Sequence, residues 1–232
     1  MTAPRALAVV VPARDEELLL PACLDSLERA THELSLAHPA TACRVFVVLD
    51  SCTDGTAEVV AGRPGVTEVP VSVGQVGAAR SAGVDAAARW AAGCDPARVW
   101  IASTDADTVV PPHWLTAQVA LAAEGHELVV GTVQPDPRDL TAREHALWLD
   151  RHVLGDDHEH VHGANLGFAL AAYRAVGGFA HLPVHEDVEL VGRLRGSGVA
   201  WRATGGMSAV TSGRRAARAP HGFAAYLDGL GA

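Results

Sequence analysis

The sequence predicts an α/β protein, a mostly parallel central sheet with helices on both sides. Three observations lead there. Short continuous apolar runs recur at 7–11, 45–49 and 99–102, and stripes of helical spacing alternate with them, as in Leu20, Leu24, Leu27 and Leu34. The strand–helix–strand units are long enough for parallel crossovers, an arrangement that gathers ligands at the carboxyl ends of the strands. The length, 232 residues with 49% hydrophobic content, suffices to bury about 70–75% of the unfolded surface without disulfides.

The elements follow in order. Leu7 to Val11 is a strand ended by Pro12, and the leucine stripe after it is a helix. Val45 to Leu49 is a second buried strand. Ser51, three residues before Asp54, offers a capped start to a short helix reaching Ala61. Val69 to Val73 is a third strand, and Val76, Ala79, Gly83, Ala87 and Trp90 mark one face of the next helix. Val99 to Ser103 is the fourth. The segments 12–17, 50–55 and 104–108 are therefore expected to converge. The second half is less regular: a helix over 112–124, a strand at Leu128 to Val133, a helix over 140–152, a mobile polar loop over 155–162, a strand at Gly163 to Leu170 and a short helix at Asp187 to Leu194. There is no internal repeat or low-complexity linker. The chain reads as one domain, 1–232, with a ligand-binding half at 1–108 and a second half at 109–232 ending in a basic tail.

Eighteen Lys and Arg against 27 Asp and Glu give a formal charge of -9, which argues against a nucleic-acid binder. Arg214, Arg215 and Arg218 form a local exception that reads as a solvated tail or an anion contact. No run reaches the roughly 18 apolar residues of a transmembrane helix, leaving only peripheral membrane contact open. Cys23, Cys43, Cys52 and Cys94 lack CxxC spacing, as expected of a reducing, cytoplasmic setting.

The chemistry centres on Asp105-Ala106-Asp107 after the fourth strand. In an extended segment the two carboxylates face one way, and small Ala106 leaves room for a ligand. Such a pair repels itself unless a hard divalent cation, Mn2+ or Mg2+, lies between it and a phosphate; a cap for the helix after Pro111-Pro112 is the alternative. Asp50 is a ligand contact or a helix cap, and Arg14, Asp15 and Glu16 are open in the same way. Arg80, at the start of a helix preceded by Gly74 and Gly77, clamps a phosphate or base, or else lies on the surface beside glycine-assisted packing. Glu186 or Asp187 acts as a general base, or both complement a helix dipole. His158, His160 and His162 form a transition-metal site or a solvated loop, and His221 could reach the metal as a neutral imidazole ligand.

Taken together, Val11-Pro12-Ala13-Arg14-Asp15-Glu16-Glu17, Leu49-Asp50-Ser51-Cys52-Thr53-Asp54-Gly55-Thr56, Ala78-Ala79-Arg80-Ser81-Ala82-Gly83 and Asp105-Ala106-Asp107-Thr108 resemble a family 2 glycosyltransferase. Gly163-Ala164-Asn165-Leu166-Gly167-Phe168, Val176-Gly177-Gly178-Phe179 and His185-Glu186-Asp187-Val188-Glu189-Leu190 look like its acceptor-side and base motifs, so the resemblance spans 7 to about 195. It implies a GT-A fold, a UDP- or GDP-sugar donor, a hydroxyl acceptor, a divalent cation and inversion at the anomeric carbon. By similarity Pro12, Arg14, Glu16 and Asp50 face the nucleoside, with Ala106 beside the donor. Arg80 faces the base or diphosphate, Asp105 the ribose or metal, and Asp107 the metal. Asp187 deprotonates the acceptor hydroxyl. Leu49 and Asp15 depart from the family's frequent Asp and Asn, and no QxxRW motif is present. The His-Glu-Asp form also occurs in some retaining GT-A enzymes, so a retaining transferase with a small anionic acceptor is one alternative; a degenerate nucleotide-binding protein is the other.

Overall fold

The computed structural model describes residues 3–152, 154–180 and 182–214. One eight-stranded sheet runs through the molecule in the order β3-β2-β1-β4-β7-β6-β8-β5. Its first half is built from β1 (Ala6–Ala13), β2 (Ala42–Asp50), β3 (Val66–Val71) and β4 (Val99–Ser103), all parallel, with Val9 opposite Val45 on one side and Ala102 on the other. Both faces are covered, which explains the unbroken apolar runs: Leu7 to Val11 have no exposure at all.

Helix α1 (Leu20–Ala37) buries Leu20, Cys23, Leu24, Leu27, Ala30 and Leu34, the expected stripe. Helix α2 (Thr56–Ala61) starts later than the Ser51 cap predicts. Its N-cap is Gly55, and Asp54 accepts from the backbone N–H of Thr56, so the cap is turn chemistry two residues long. Helix α3 (Val76–Trp90) lies against the sheet at Gly83, where an added Cβ would stand 2.4 Å from Val10 Cγ1 and 2.8 Å from Val48 Cγ2. Strand β3 is displaced toward its N-terminus from the predicted Val69 to Val73. Its register is set by β2, with Val45 opposite Val66 and Asp50 opposite Val71, after which the chain leaves the sheet.

The second half departs further from expectation. A two-residue strand β5 (Thr108–Val109) precedes α4 (Trp114–Glu124), β6 (Leu128–Pro135) and α5 (Ala142–Arg151), the last opened by a capping box between Thr141 and Glu144. The predicted strand from Gly163 to Leu170 divides into a 3-10 turn at Gly163–Asn165, strand β7 (Leu166–Ala169) and helix α6 (Leu170–Ala175). Helix α7 (Glu186–Gly196) is followed by an unforeseen long strand, β8 (Trp201–Thr211). β7 is antiparallel to β4 and β6, β8 is parallel to β6, and β5 is antiparallel to β8. The 155–162 loop is pinned to β8 rather than free. The Asp156 carboxylate accepts from Arg202, Thr204 and the Gly205 N–H, and His158 is 5% exposed. No helix among the described residues is long and apolar enough to cross a membrane.

Candidate functional site

The carboxyl ends of β1, β2 and β4 do converge. Asp15, held at a positive φ of 52°, accepts from the N–H (2.6 Å) and hydroxyl of Thr53, and this bond lowers its carboxyl pKa. Glu17 accepts from the Gly55 N–H, and the Glu16 N–H donates to Thr56 Oγ1 at 2.7 Å. The loops after β1 and β2 are thus one stitched unit. Asp50, 5% exposed, spends Oδ1 on the N–H groups of Val73 and Gly74 at 2.9 and 3.0 Å, tying the segment that enters α3 to the end of β2. Pro12 is half-buried and Arg14 exposed beside this unit.

Asp105-Ala106-Asp107 is a turn, not the extended segment expected. The Thr108 N–H closes it on the Asp105 carbonyl, as the chain must reverse from β4 into β5. Ala106 is buried inside the bend, while both carboxylates remain in one charge cluster. Asp107 caps no helix: α4 begins after His113 without a side-chain cap. The Asp107 carboxylate accepts from Thr211 Oγ1 at 3.3 Å and pairs with Arg214 at 2.9 Å. Burial and the adjacent charges of Asp105 and Glu16 push its carboxyl up to about 6 against the pull of Arg214.

Arg214 also grips both oxygens of the buried Glu16, at 2.7 and 2.8 Å. A tail contact therefore reaches the site, and the solvated-tail alternative does not describe Arg214. Arg215, Arg218 and the predicted ligand His221 lie outside the described residues.

Arg80 is not on the surface; it is 3% exposed. Its Nη2 donates to Asp105 Oδ1 at 2.5 Å and its Nη1 to Glu186 Oε1. Glu186 is 4% exposed, and burial with the nearby Asp187 and Asp105 raises its pKa, opposed by Arg80. Asp187 lies beside it at the start of α7, more open, with Oδ2 accepting the Gly163 N–H at 2.6 Å and Oδ1 that of Val188. His185 enters the helix in the left-handed region, at φ 62°.

Next to Asp187, imidazoles run from His162 to His160 and His152, the last stacked on Trp148 at 4.3 Å. Burial and the other histidines depress the His162 pKa to about 4, Asp187 opposing. The transition-metal alternative for His158, His160 and His162 is not supported: among the described residues no three His, Cys, Asp or Glu side chains are disposed to hold a metal ion.

The donor set at the turn fits a hard divalent cation. Asp105 and Asp107 offer oxygen ligands and Glu16 adds negative charge, with Arg80 paired to Asp105 and Arg214 paired to Glu16 and Asp107. Two protein carboxylates leave the remaining positions to ligand and water oxygens. Sequence reasoning missed the partners of Arg80, the seat of Asp187 on Gly163, and Thr211, which sits on the unforeseen β8. The alternation of buried Ala203, Met207, Ala209 and Thr211 is the signal that marks that strand, interrupted by Gly205-Gly206.

Several solved structures share this architecture. A mannosyltransferase from Pyrobaculum calidifontis, solved with GDP-Man and Mn2+, matches with a TM-score of 0.64 and 20% identity over 93% of this chain, which spans 59% of that protein. TarS from S. aureus, as a 1–349 fragment, matches with a TM-score of 0.61 and 13% identity, covering 97% of this chain and 69% of that one. Mannosyl-3-phosphoglycerate synthase from Rubrobacter xylanophilus gives 0.57 and 16%, covering 90% and 67%. At these identities the likeness establishes the fold, which is GT-A. No curated protein sequence matches significantly. The family model "Glycosyl transferase family 2" matches residues 8–176, most of the strand and loop framework described above. The chain belongs to glycosyl transferase family 2.

Proposed function

We propose that the protein transfers a sugar from a UDP- or GDP-sugar to a hydroxyl acceptor by a single inverting displacement. The observation that carries this reading is the side-chain cluster at the strand ends, in which Arg80 contacts Asp105 of the turn and lies close to Asp187 at the start of α7. In a GT-A domain these are the donor and acceptor sides. The stitched loop of Pro12, Arg14, Glu16 and Asp50 receives the nucleoside, with Ala106 shaping the turn beside it. Arg80 carries a fixed positive charge toward the diphosphate. Preorganised cations of this kind stabilise a leaving group as its charge develops, without reorganisation at the moment of reaction.

Asp187 takes the acceptor proton. Its two backbone hydrogen bonds hold the carboxylate in place, and its partial exposure leaves it within reach of an incoming hydroxyl. Asp107, with Asp105, would hold Mn2+ or Mg2+, which supplies Lewis-acid neutralisation of the diphosphate. The Pyrobaculum calidifontis mannosyltransferase, solved with GDP-Man and Mn2+, supports that choice by analogy. Four free cysteines, none paired, support a reducing cytoplasmic location.

The test is a panel of nucleotide sugars with and without Mn2+, followed by Asp107→Ala on the donor that turns over. Loss of metal-dependent turnover is expected; retained turnover refutes the assignment. Nuclear magnetic resonance of the product anomer decides inversion, and a retained configuration would replace it with a retaining transferase.

A further inference from the structure

We propose that Glu186 is a positioning residue, whose buried carboxylate holds Arg80 so that one guanidinium orients the donor-side Asp105 and underlies the loop that seats Asp187. The proposal rests on the glycosyl-transfer reading above and assigns Glu186 a role distinct from that of the base.

Four observations build it. Glu186 and Arg80 are both almost fully buried and bonded to each other through Nη1, while Nη2 reaches Asp105. Planar guanidinium geometry fixes the two arms relative to one another, so holding one aims the other. Gly163 lies directly on that guanidinium: a Cβ there would stand 2.5 Å from Arg80 Nη2 and 2.6 Å from Cζ. The same Gly163 donates its N–H to Asp187 Oδ2 at 2.6 Å. Arg80 therefore touches the donor carboxylate on one side and the support of the acceptor-side carboxylate on the other.

Gly77 completes the fit. A Cβ at Gly77 would approach Glu186 Cγ to 2.9 Å, so α3 admits the Glu186 side chain only because that position lacks one. Glu186 is enclosed between α3 and Arg80, whereas a base must reach the acceptor proton. Asp187, one residue on and half-exposed, has that access. Adjacent acids on one helix start thus divide the work: the buried one sets Arg80, the open one takes the proton.

Calorimetric titration of UDP and of GDP, each with Mn2+, into the wild type, Glu186→Gln, Glu186→Asp and Asp187→Asn tests this. Wild-type protein should bind one nucleotide in a Mn2+-dependent manner. Loss of a charged hydrogen bond should weaken that binding about 10- to 100-fold in Glu186→Gln, with Glu186→Asp, which keeps the charge on a shorter arm, falling between. Asp187→Asn should bind close to wild type yet lose about 10²- to 10⁴-fold in transfer. In Glu186→Gln the loss should appear chiefly in donor KM, and the pH profile of kcat should keep its wild-type limbs.

Wild-type nucleotide binding by Glu186→Gln overturns the proposal, whether transfer is kept or lost. Should circular dichroism show Glu186→Gln unfolded, unchanged binding by Glu186→Asp overturns it instead. A wild-type protein that binds neither nucleotide overturns the glycosyl-transfer reading itself, and the positioning role with it.

Discussion

Asn165→Ala should be among the most destabilising single substitutions in this protein, and the reason lies in a flaw in the sheet. The pairing of β6 with β8 is regular from Leu128 opposite Trp201 to Gly131 opposite Thr204, and resumes only at Val133 opposite Ala209. Between these points the ladder is interrupted, stranding buried backbone groups on both strands. Asn165 fills the gap. Its Nδ2 donates to the Thr132 and Met207 carbonyls at 2.8 and 2.9 Å, one on each strand, and its Oδ1 accepts the Trp114 indole N–H at 2.8 Å. Gly131 makes room: a Cβ there would stand 2.3 Å from Asn165 Nδ2.

Truncation to alanine removes two buried hydrogen bonds to carbonyls at about 1 kcal/mol each and leaves the indole donor unsatisfied at about 1–3 kcal/mol, a total near 3–5 kcal/mol. That is a large share of a typical stability of about 5–15 kcal/mol. At about 2–4 °C per kcal/mol for a chain of this size, Tm should fall by roughly 10 °C. Asn165→Asp has the same shape but turns a carboxylate oxygen toward two carbonyls, so it should cost at least as much. Urea denaturation followed by tryptophan fluorescence measures both. A loss below about 1 kcal/mol in Asn165→Ala, or wild-type stability in Asn165→Asp, refutes the argument.

Gly83→Ala should destabilise by about 1–3 kcal/mol, although alanine favours a helix interior over glycine by about 1 kcal/mol. The new methyl must displace Val10 and Val48 in the core; a gain in Tm would show that α3 can shift outward at little cost. His162, whose pKa falls from 6.5 to about 4 on folding, binds its proton more readily when unfolded. Its contribution is present above pH 6.5 and is lost as pH falls from there toward 4, with a ceiling of about 3 kcal/mol. In His162→Gln the decline of urea-derived stability over that window should be shallower than in wild type, and identical slopes would exclude His162 as its source.

The charge arrangement at the turn bears on how the donor half works. Arg214 links residues 198 positions apart in sequence by gripping Glu16, and it also pairs with Asp107. Ser212, two residues earlier, donates its N–H to the Asp107 carbonyl, so the end of β8 is fastened to the turn by backbone as well as by charge. The acids around Asp107 would repel one another without these cations, the same electrostatic situation that suits the site to a metal and a diphosphate.

The parallel half is legible in the sequence, as is the placing of Asp50 and the Asp105-Asp107 pair at strand ends and of Arg80 near a helix start. Strands buried on both faces and helices buried on one write their periods locally, so Leu7 to Val11 and the leucine stripe of α1 are legible without a partner. What those residues touch came from long-range packing. β3 took its limits from hydrogen bonding to β2, and β8, weakened by Gly205-Gly206, is a strand because β6 and β5 pair with it. The buried Arg80 meets an acid 106 residues away, and Arg214, which reads locally as a tail charge, closes on Glu16. Periodicity is a property of neighbours in the chain, whereas an ion pair or a seated carboxylate is a property of neighbours in space, and only the fold makes those the same residues.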